Sequence, residues 1–211
     1  MKKIIITIDG PAGSGKGRIA KYLSKKWKLI HLDSGVLYRR LSLIFLKKNV
    51  NFSNTSDLSY NLLKIKKLSS RNHKSLRSTE ITKLSSKLAT IKIVREFINK
   101  LQKKIVNKSL KKRGFVIDGR DIGSVVFKKA DLKLYIEASS IIRAKRRHKQ
   151  LIDIGEKSIY PQVLKDIKLR DKKDINRKNS PLVIPKGAKI IINNNSFSST
   201  IKKINNLVRK L

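Results

Sequence analysis

Near the N-terminus stands Gly10-Pro11-Ala12-Gly13-Ser14-Gly15-Lys16-Gly17, which fits the pattern G-x-x-x-x-G-K. Residues without a Cβ let successive backbone N–H groups turn inward and converge on phosphate oxygens. A lysine at the end of such a loop reaches the outer phosphates of a nucleoside triphosphate. The chemistry implied is phosphoryl transfer, which needs positioning and positive charge more than covalent catalysis. Two further sets supply such charge. Arg143, Arg146 and Arg147 stand at i, i+3 and i+4, and Arg170, Asp174 and Arg177 at i, i+4 and i+7. Each set falls on one face of a helix. Alone, either could be a solvated basic face or a surface ion pair contributing about 0.3–0.5 kcal/mol. In the general motif a Ser or Thr after the lysine binds magnesium. Here Gly17 and Arg18 follow, so water, Ser14, or carboxylates such as Asp9, Asp33 and Asp118 must help hold a metal.

These residues need a frame. Residues 3–8 are an apolar, β-branched run and predict a buried strand. The loop at 10–17 follows it, and 16–26 predicts a helix with Ile19, Ala20 and Leu23 on one face. Strands are predicted at 29–32, 115–117, 132–136 and 189–192. Helices are predicted at 34–48, with Ser34 as a plausible N-cap, and at 79–88, 93–106, 140–151, 161–174 and 199–211. Residues 49–78 are polar and rich in Asn and Ser, suiting a small insert. Residues 153–159 include Gly155 and predict a mobile loop. A glycine loop between strand and helix is the context the phosphate motif requires. Strands alternating with helices predict an α/β fold, a parallel sheet covered on both faces.

The chain has 211 residues, 39% of them hydrophobic, enough for one cored domain with mobile subdomains. No run is long and apolar enough to span a bilayer. Cysteine is absent, which excludes disulfides and thiolate-held zinc, and the expected compartment is the cytoplasm. The net charge of +38 could mark a nucleic-acid binder. Yet the basic residues spread from Lys2 to Lys210, and aromatics are only 6%, so no stacking platform is built. Biased composition is the favoured reading, and no specific nucleic acid is expected. The charge still draws anionic nucleotides toward an open cleft. His31, His73 and His148 lack metal-ligand spacing and read as incidental.

Three blocks together resemble the bacterial cytidylate kinase family. They are Ile8 through Gly17; Leu32-Asp33-Ser34-Gly35-Val36-Leu37-Tyr38-Arg39; and Ile117-Asp118-Gly119-Arg120-Asp121 continuing to Phe127. Arg143 to Arg147, Arg170 to Arg177 and Ser180-Pro181-Leu182 agree as well, in family order and over nearly the whole chain. The resemblance implies a nucleoside-monophosphate-kinase-like fold with a five-stranded parallel sheet flanked by helices. It implies a single kinase domain: a core at 1–48, 107–151 and 175–211, a monophosphate-binding region at about 49–106, and a lid at about 152–165. The implied reaction is ATP + CMP ⇌ ADP + CDP in pyrimidine nucleotide metabolism, with dCMP as an alternative acceptor and Mg²⁺ as cofactor. A monomer acting on small molecules, away from membranes, is expected. Rival readings are another P-loop small-molecule kinase and a basic nucleic-acid-binding protein.

By that resemblance Gly10, Pro11, Ala12, Gly13, Ser14, Gly15, Lys16, Gly17 and Arg18 bind ATP. Lys16, Arg120, Asp118, Arg143 and Arg147 serve catalysis, and Arg146 is a less firm lid arginine. Ser34, Tyr38, Arg39 and Arg120 grip the CMP phosphate. Arg170, Asp174 and Arg177 bind its sugar and phosphate. Asp121 is placed near the base, with Ser86 and Arg95 donating to the ring acceptors. A carboxylate there suits cytosine, whose exocyclic amine donates where uracil presents an acceptor. The chain departs from the family at Arg18, where Thr or Ser is usual, and in a shorter insert at 49–78.

Overall fold

The computed structural model of the chain describes residues 3–65, 68, 73–109 and 114–211. Five strands form one sheet: β1 (Ile4–Asp9), β2 (Ile30–Asp33), β3 (Gly114–Asp118), β4 (Leu132–Glu137) and β5 (Lys189–Ile192). Their order is β2-β3-β1-β4-β5, and every pairing is parallel. β1 and β3 are apolar and β-branched because both of their faces are covered, as central strands of a parallel sheet require. Ile6 lies between Val116 and Leu132, and Ile8 between Asp118 and Leu134.

Helices α1 (Lys16–Lys26) and α8 (Phe197–Val208) cover one face of the sheet. The predicted face Ile19, Ala20 and Leu23 is fully buried there, against Ile6, Ile8 and Val116. On the other face pack α2 (Ser34–Lys47), α3 (Thr55–Leu63), α4 (Thr79–Leu88) and α5 (Lys92–Lys108). They share one apolar cluster with Leu32, Phe115 and Ile117, so the helices of 49–106 rest on the sheet's own core. A third, small cluster of Ala144, Leu151, Val163 and Ile167 joins α6 (Ser140–Ile152) to α7 (Tyr160–Asn176) as a hairpin.

Three local features differ from the sequence reading. α3 lies inside the stretch expected to be an irregular insert; Asn54 caps it by accepting from Ser56 N and Asp57 N, and Leu58 and Leu62 are buried at i and i+4. Residues 66–67 and 69–72 of that stretch lie outside the described residues. Ser34 is not the cap of α2: Asp33 holds extended backbone before it and accepts from Val36 N at 2.9 Å. Beyond β3, residues Ile122–Val126 form one turn of π-helix that no periodicity announces.

Candidate active site

The phosphate loop joins β1 to α1. Gly10, at φ 142°, runs so close to β4 that an added Cβ would lie 2.2 Å from the Ile136 carbonyl oxygen. Gly15, at φ 97°, would collide with the Asn193 amide at 2.4 Å. That amide holds the loop from outside, donating to Ser14 O at 2.8 Å. Lys16 is buried; its Nζ donates to Pro11 O at 2.6 Å and to Ser14 Oγ at 3.2 Å. Burial, with Arg120 adding, holds its ammonium well below the ordinary lysine range. Arg18 turns outward and stacks over the Phe197 ring, 3.9 Å from its centroid.

Asp9, Asp33 and Asp118 end β1, β2 and β3 at the carboxyl edge, where parallel sheets hold ligands. Asp9, expected as a possible metal carboxylate, is not placed for it. It is fully buried and accepts from Ile122 N at 2.8 Å and Gly123 N at 2.7 Å, so it anchors the π-helical turn to the phosphate loop. Burial pushes its carboxyl up to about 6 from 3.8. A raised carboxyl favours folding when protonated, so this contribution is present below about pH 4 and lost as pH rises through 6. The stability of Asp9→Asn relative to the parent should therefore improve by on the order of 2–3 kcal/mol between pH 4 and 7, measured by urea unfolding. Asp33 also pairs with Arg39 at 3.3 Å, and burial raises its carboxyl. Asp118 lies below the first turn of α1, against His31, whose Nε2 is 2.6 Å from Asp118 Oδ1. His31, read as incidental, thus belongs to the site. Burial opposes its charge, but Asp118 outweighs this and raises its pKa.

Opposite the loop, Asp121 and Arg95 form a buried ion pair through Oδ2 and Nη2. Arg95 also donates to Ala89 O at 2.8 Å and lies over the Tyr38 ring at 5.9 Å. Burial pushes the Tyr38 phenol up to about 12. Ser86 is half-buried on α4, and Ser34 is buried at the start of α2. Asp174 draws three guanidiniums together: Arg120 at 3.0 Å, Arg177 at 3.4 Å and Arg170 at 4.0 Å. Burial would raise the Asp174 carboxyl, but the arginines outweigh it and hold it below the ordinary range.

The α6 arginines divide their work. Arg143 is buried and committed: it donates to Ala138 O and Ala12 O and forks onto Asp171 at 3.0 and 2.6 Å. It clamps the phosphate loop to α7 in this structure. Asp171 escaped the sequence reading, and its only signal was its place beside Arg170 in a helix rich in ion-pair spacings. Arg146 donates to Asn193 O at 2.8 Å. Arg147 crosses to the other side of the cleft and donates to Arg77 O at 3.0 Å and Thr82 Oγ1 at 3.4 Å. Nearby, Glu156 Oε2 accepts from Thr79 N at 3.3 Å.

Around this edge Arg120 lies within electrostatic reach of Lys16, Arg39 and Arg170, and Arg39 and Arg170 within reach of Arg147. Burial first, and neighbouring cations next, hold the Arg170 guanidinium down to about 10. A cleft that gathers so many desolvated cations at a phosphate loop is built for phosphates, and with this sheet it defines a P-loop phosphotransferase. Residues 6–210 match the profile of the family described as cytidylate kinase. The chain is 37% identical to a cytidylate kinase of Fusobacterium nucleatum, over 100% of this chain and 97% of that protein. It is 40% identical to one of Thermosipho africanus, over 96% and 91%, and 37% identical to one of Clostridium botulinum, over the full length of both. A crystal structure from Thermus thermophilus shares the fold at TM-score 0.56 and 15% identity, covering 100% and 99% of the two chains. The chain belongs to the cytidylate kinase family, a family of kinases.

Proposed function

We propose that the chain transfers the γ-phosphoryl group of ATP to CMP or dCMP, in line across the cleft between the phosphate loop and the Asp121–Arg95 pair. The observation that carries this reading is the gathering of Lys16, Arg39, Arg120, Arg147 and Arg170 between a triphosphate loop and a buried carboxylate–guanidinium pair, with burial holding Lys16, Arg39, Arg147 and Arg170 below their ordinary ranges. Backbone amides of Ala12–Arg18 and the Lys16 ammonium hold the ATP phosphates. Arg39, Arg120 and Arg170 face the acceptor phosphate, and bidentate guanidinium contacts suit that task. Arg147, Arg143 and Arg146 border the donor side. Asp174 and Arg177 orient the acceptor sugar, Ser34 offers its hydroxyl to the acceptor phosphate, and Ser86 offers its hydroxyl to the base.

Magnesium fits the donor chemistry here, since it takes oxygen ligands and keeps much of its water. Asp118, Asp33 and Ser14 are the oxygens beside the loop that would help hold a nucleotide-borne ion, which would neutralise phosphate charge when bound. The like charge of +38 opposes self-association, which supports a monomer. No helix among the described residues is long and apolar enough to cross a membrane, and we propose the cytoplasm as the compartment.

The test is ADP release in a coupled assay with CMP, dCMP, UMP and AMP. CMP or dCMP should give the highest kcat/KM; absence of CMP-dependent turnover, or preference for AMP, overturns the reading. Asp121→Asn should lower kcat/KM for CMP by about 100-fold and cut discrimination against UMP by at least about 10-fold, because an amide can also donate to uracil's oxygen. An unchanged CMP/UMP ratio would remove Asp121 from base selection.

A further inference from the structure

The contact between His31 and Asp118 lies outside both the ATP-binding and the CMP-binding sets. Its geometry is defined by the sheet. Asp33 pairs with Asp118 across β2 and β3, and His31 with Val116. His31 therefore stands two positions behind Asp118 on the same face, and its ring reaches forward to the carboxylate. The distance from Nε2 to Oδ1 is 2.6 Å. An ionised carboxylate only accepts, so Nε2 carries the proton and donates. The two side chains are 23% and 10% exposed, so little water competes for the contact. Asp33 and Lys21 are the other charged groups facing the imidazole.

The second carboxylate oxygen is turned elsewhere. A methyl group added to Gly17 would lie 3.7 Å from Asp118 Oδ2. This oxygen therefore points at the first turn of α1, where the general phosphate-loop motif carries a hydroxyl. Gly17 has no side chain to meet it, and the side chain of Arg18 is spent on Phe197. On the loop side Lys16 is within electrostatic reach of Asp118, but its ammonium donates to Pro11 O and Ser14 Oγ, so the hydrogen bond that orients the carboxylate comes from His31 on the sheet side.

We propose that His31 is a positioning residue for phosphoryl transfer: its Nε2–H fixes Asp118 so that Oδ2 faces the first turn of α1, where the triphosphate and its hydrated cation gather. The inference rests on reading the loop as the ATP site. Without the imidazole, Asp118 loses the partner of Oδ1 and can turn toward Arg39 or back along the sheet. The cation's water shell then loses a fixed acceptor. Outer-shell partners of this kind typically change metal affinity or activity by about 10–100-fold.

His31→Phe removes the donor and keeps a ring of similar size; His31→Gln returns a donor near the position of Nε2. Both are compared with the parent in kcat, KM for CMP, melting temperature, and Mn²⁺ affinity of the enzyme–ADP complex by electron paramagnetic resonance. The expected result is that His31→Phe lowers kcat about 10-fold or more, leaves KM for CMP within about two-fold, and weakens Mn²⁺ binding about 10-fold. His31→Gln should recover most of both losses. Parent-like behaviour of His31→Phe overturns the proposal. So does an equal loss in both variants, or a kcat loss with Mn²⁺ affinity intact. The Mn²⁺ measurement needs no acceptor. A parent that binds Mn²⁺ and ADP but does not phosphorylate CMP would sink the acceptor reading, while this inference would still be decided by the Mn²⁺ shift.

Discussion

Lys16→Met should lower kcat/KM by about 10³-fold or more while making the ligand-free protein more stable. The rate loss follows from removing a fixed positive charge from the outer phosphates, where one such donor is worth about 3–4 kcal/mol in the transition state. The gain in stability follows from burial. Lys16 Nζ sits among Pro11 O and Ser14 Oγ beside Arg120, and its ammonium is held well below 10.5. A cation depressed in the folded state weakens folding progressively as pH falls below its ordinary value. The advantage of Lys16→Met should therefore grow toward acidic pH. Thermal unfolding across pH, with and without ATP, checks both halves. ATP should raise the parent's melting temperature through mass action and move that of Lys16→Met far less. A variant that melts below the parent at every pH would mean that the two lysine hydrogen bonds outweigh the desolvation.

Asp174→Ala should be the most destabilising polar change in the site. Arg120, Arg170 and Arg177 converge on this buried carboxylate, and its removal leaves one buried and two partly buried guanidiniums facing one another. Breaking a buried ion network from its single anionic member costs about 3–5 kcal/mol. At about 2–4 °C per kcal/mol for a domain of this size, the melting temperature should fall by about 10 °C. The Asp174 carboxyl is held low, so its contribution is present above about pH 4 and lost as pH falls below that. The gap between parent and variant should narrow in acid. Inorganic phosphate offers a replacement anion, and it should restore part of the lost stability in the variant while changing the parent less. If phosphate gives no differential recovery, the three arginines do not form one anion seat.

The elements that carry the phosphate loop were legible because periodicity and loop chemistry agreed. Strand 3–8 appears as Ile4–Asp9, and the helix at 16–26 as Lys16–Lys26. What escaped depends partly on which local cap is used and partly on contacts made at long range. Asn54 and the pair Leu58 and Leu62 build α3 in a stretch whose Asn and Ser content signals turns. Asp33 and Ser34 are both good caps by type, and only the extended backbone at Asp33 decides between them. Asp9 looks like a metal carboxylate until the turn at Ile122 and Gly123 folds onto it, 113 and 114 residues further along. His31 meets Asp118 across 87 residues, and a lone histidine on a short strand gives no local sign of that. The arginine spacings on α6 and α7 gave the right faces, but not that Arg143 would be spent on Asp171.

The bonds from Arg147 to Arg77 and Thr82, and from Thr79 to Glu156, tie the α6–α7 hairpin to the start of α4. Donor-side and acceptor-side walls are thus fastened to each other over the cleft. Whichever nucleotide binds first and holds that joined arrangement contributes the ordering cost for both. The affinity gain it confers on the second must be returned in equal factor by the second on the first. A single molecule carrying a nucleoside at each end of a polyphosphate bridge would collect that benefit in one binding event. Its grip should exceed what the two halves achieve separately, by the effective concentration the tether imposes.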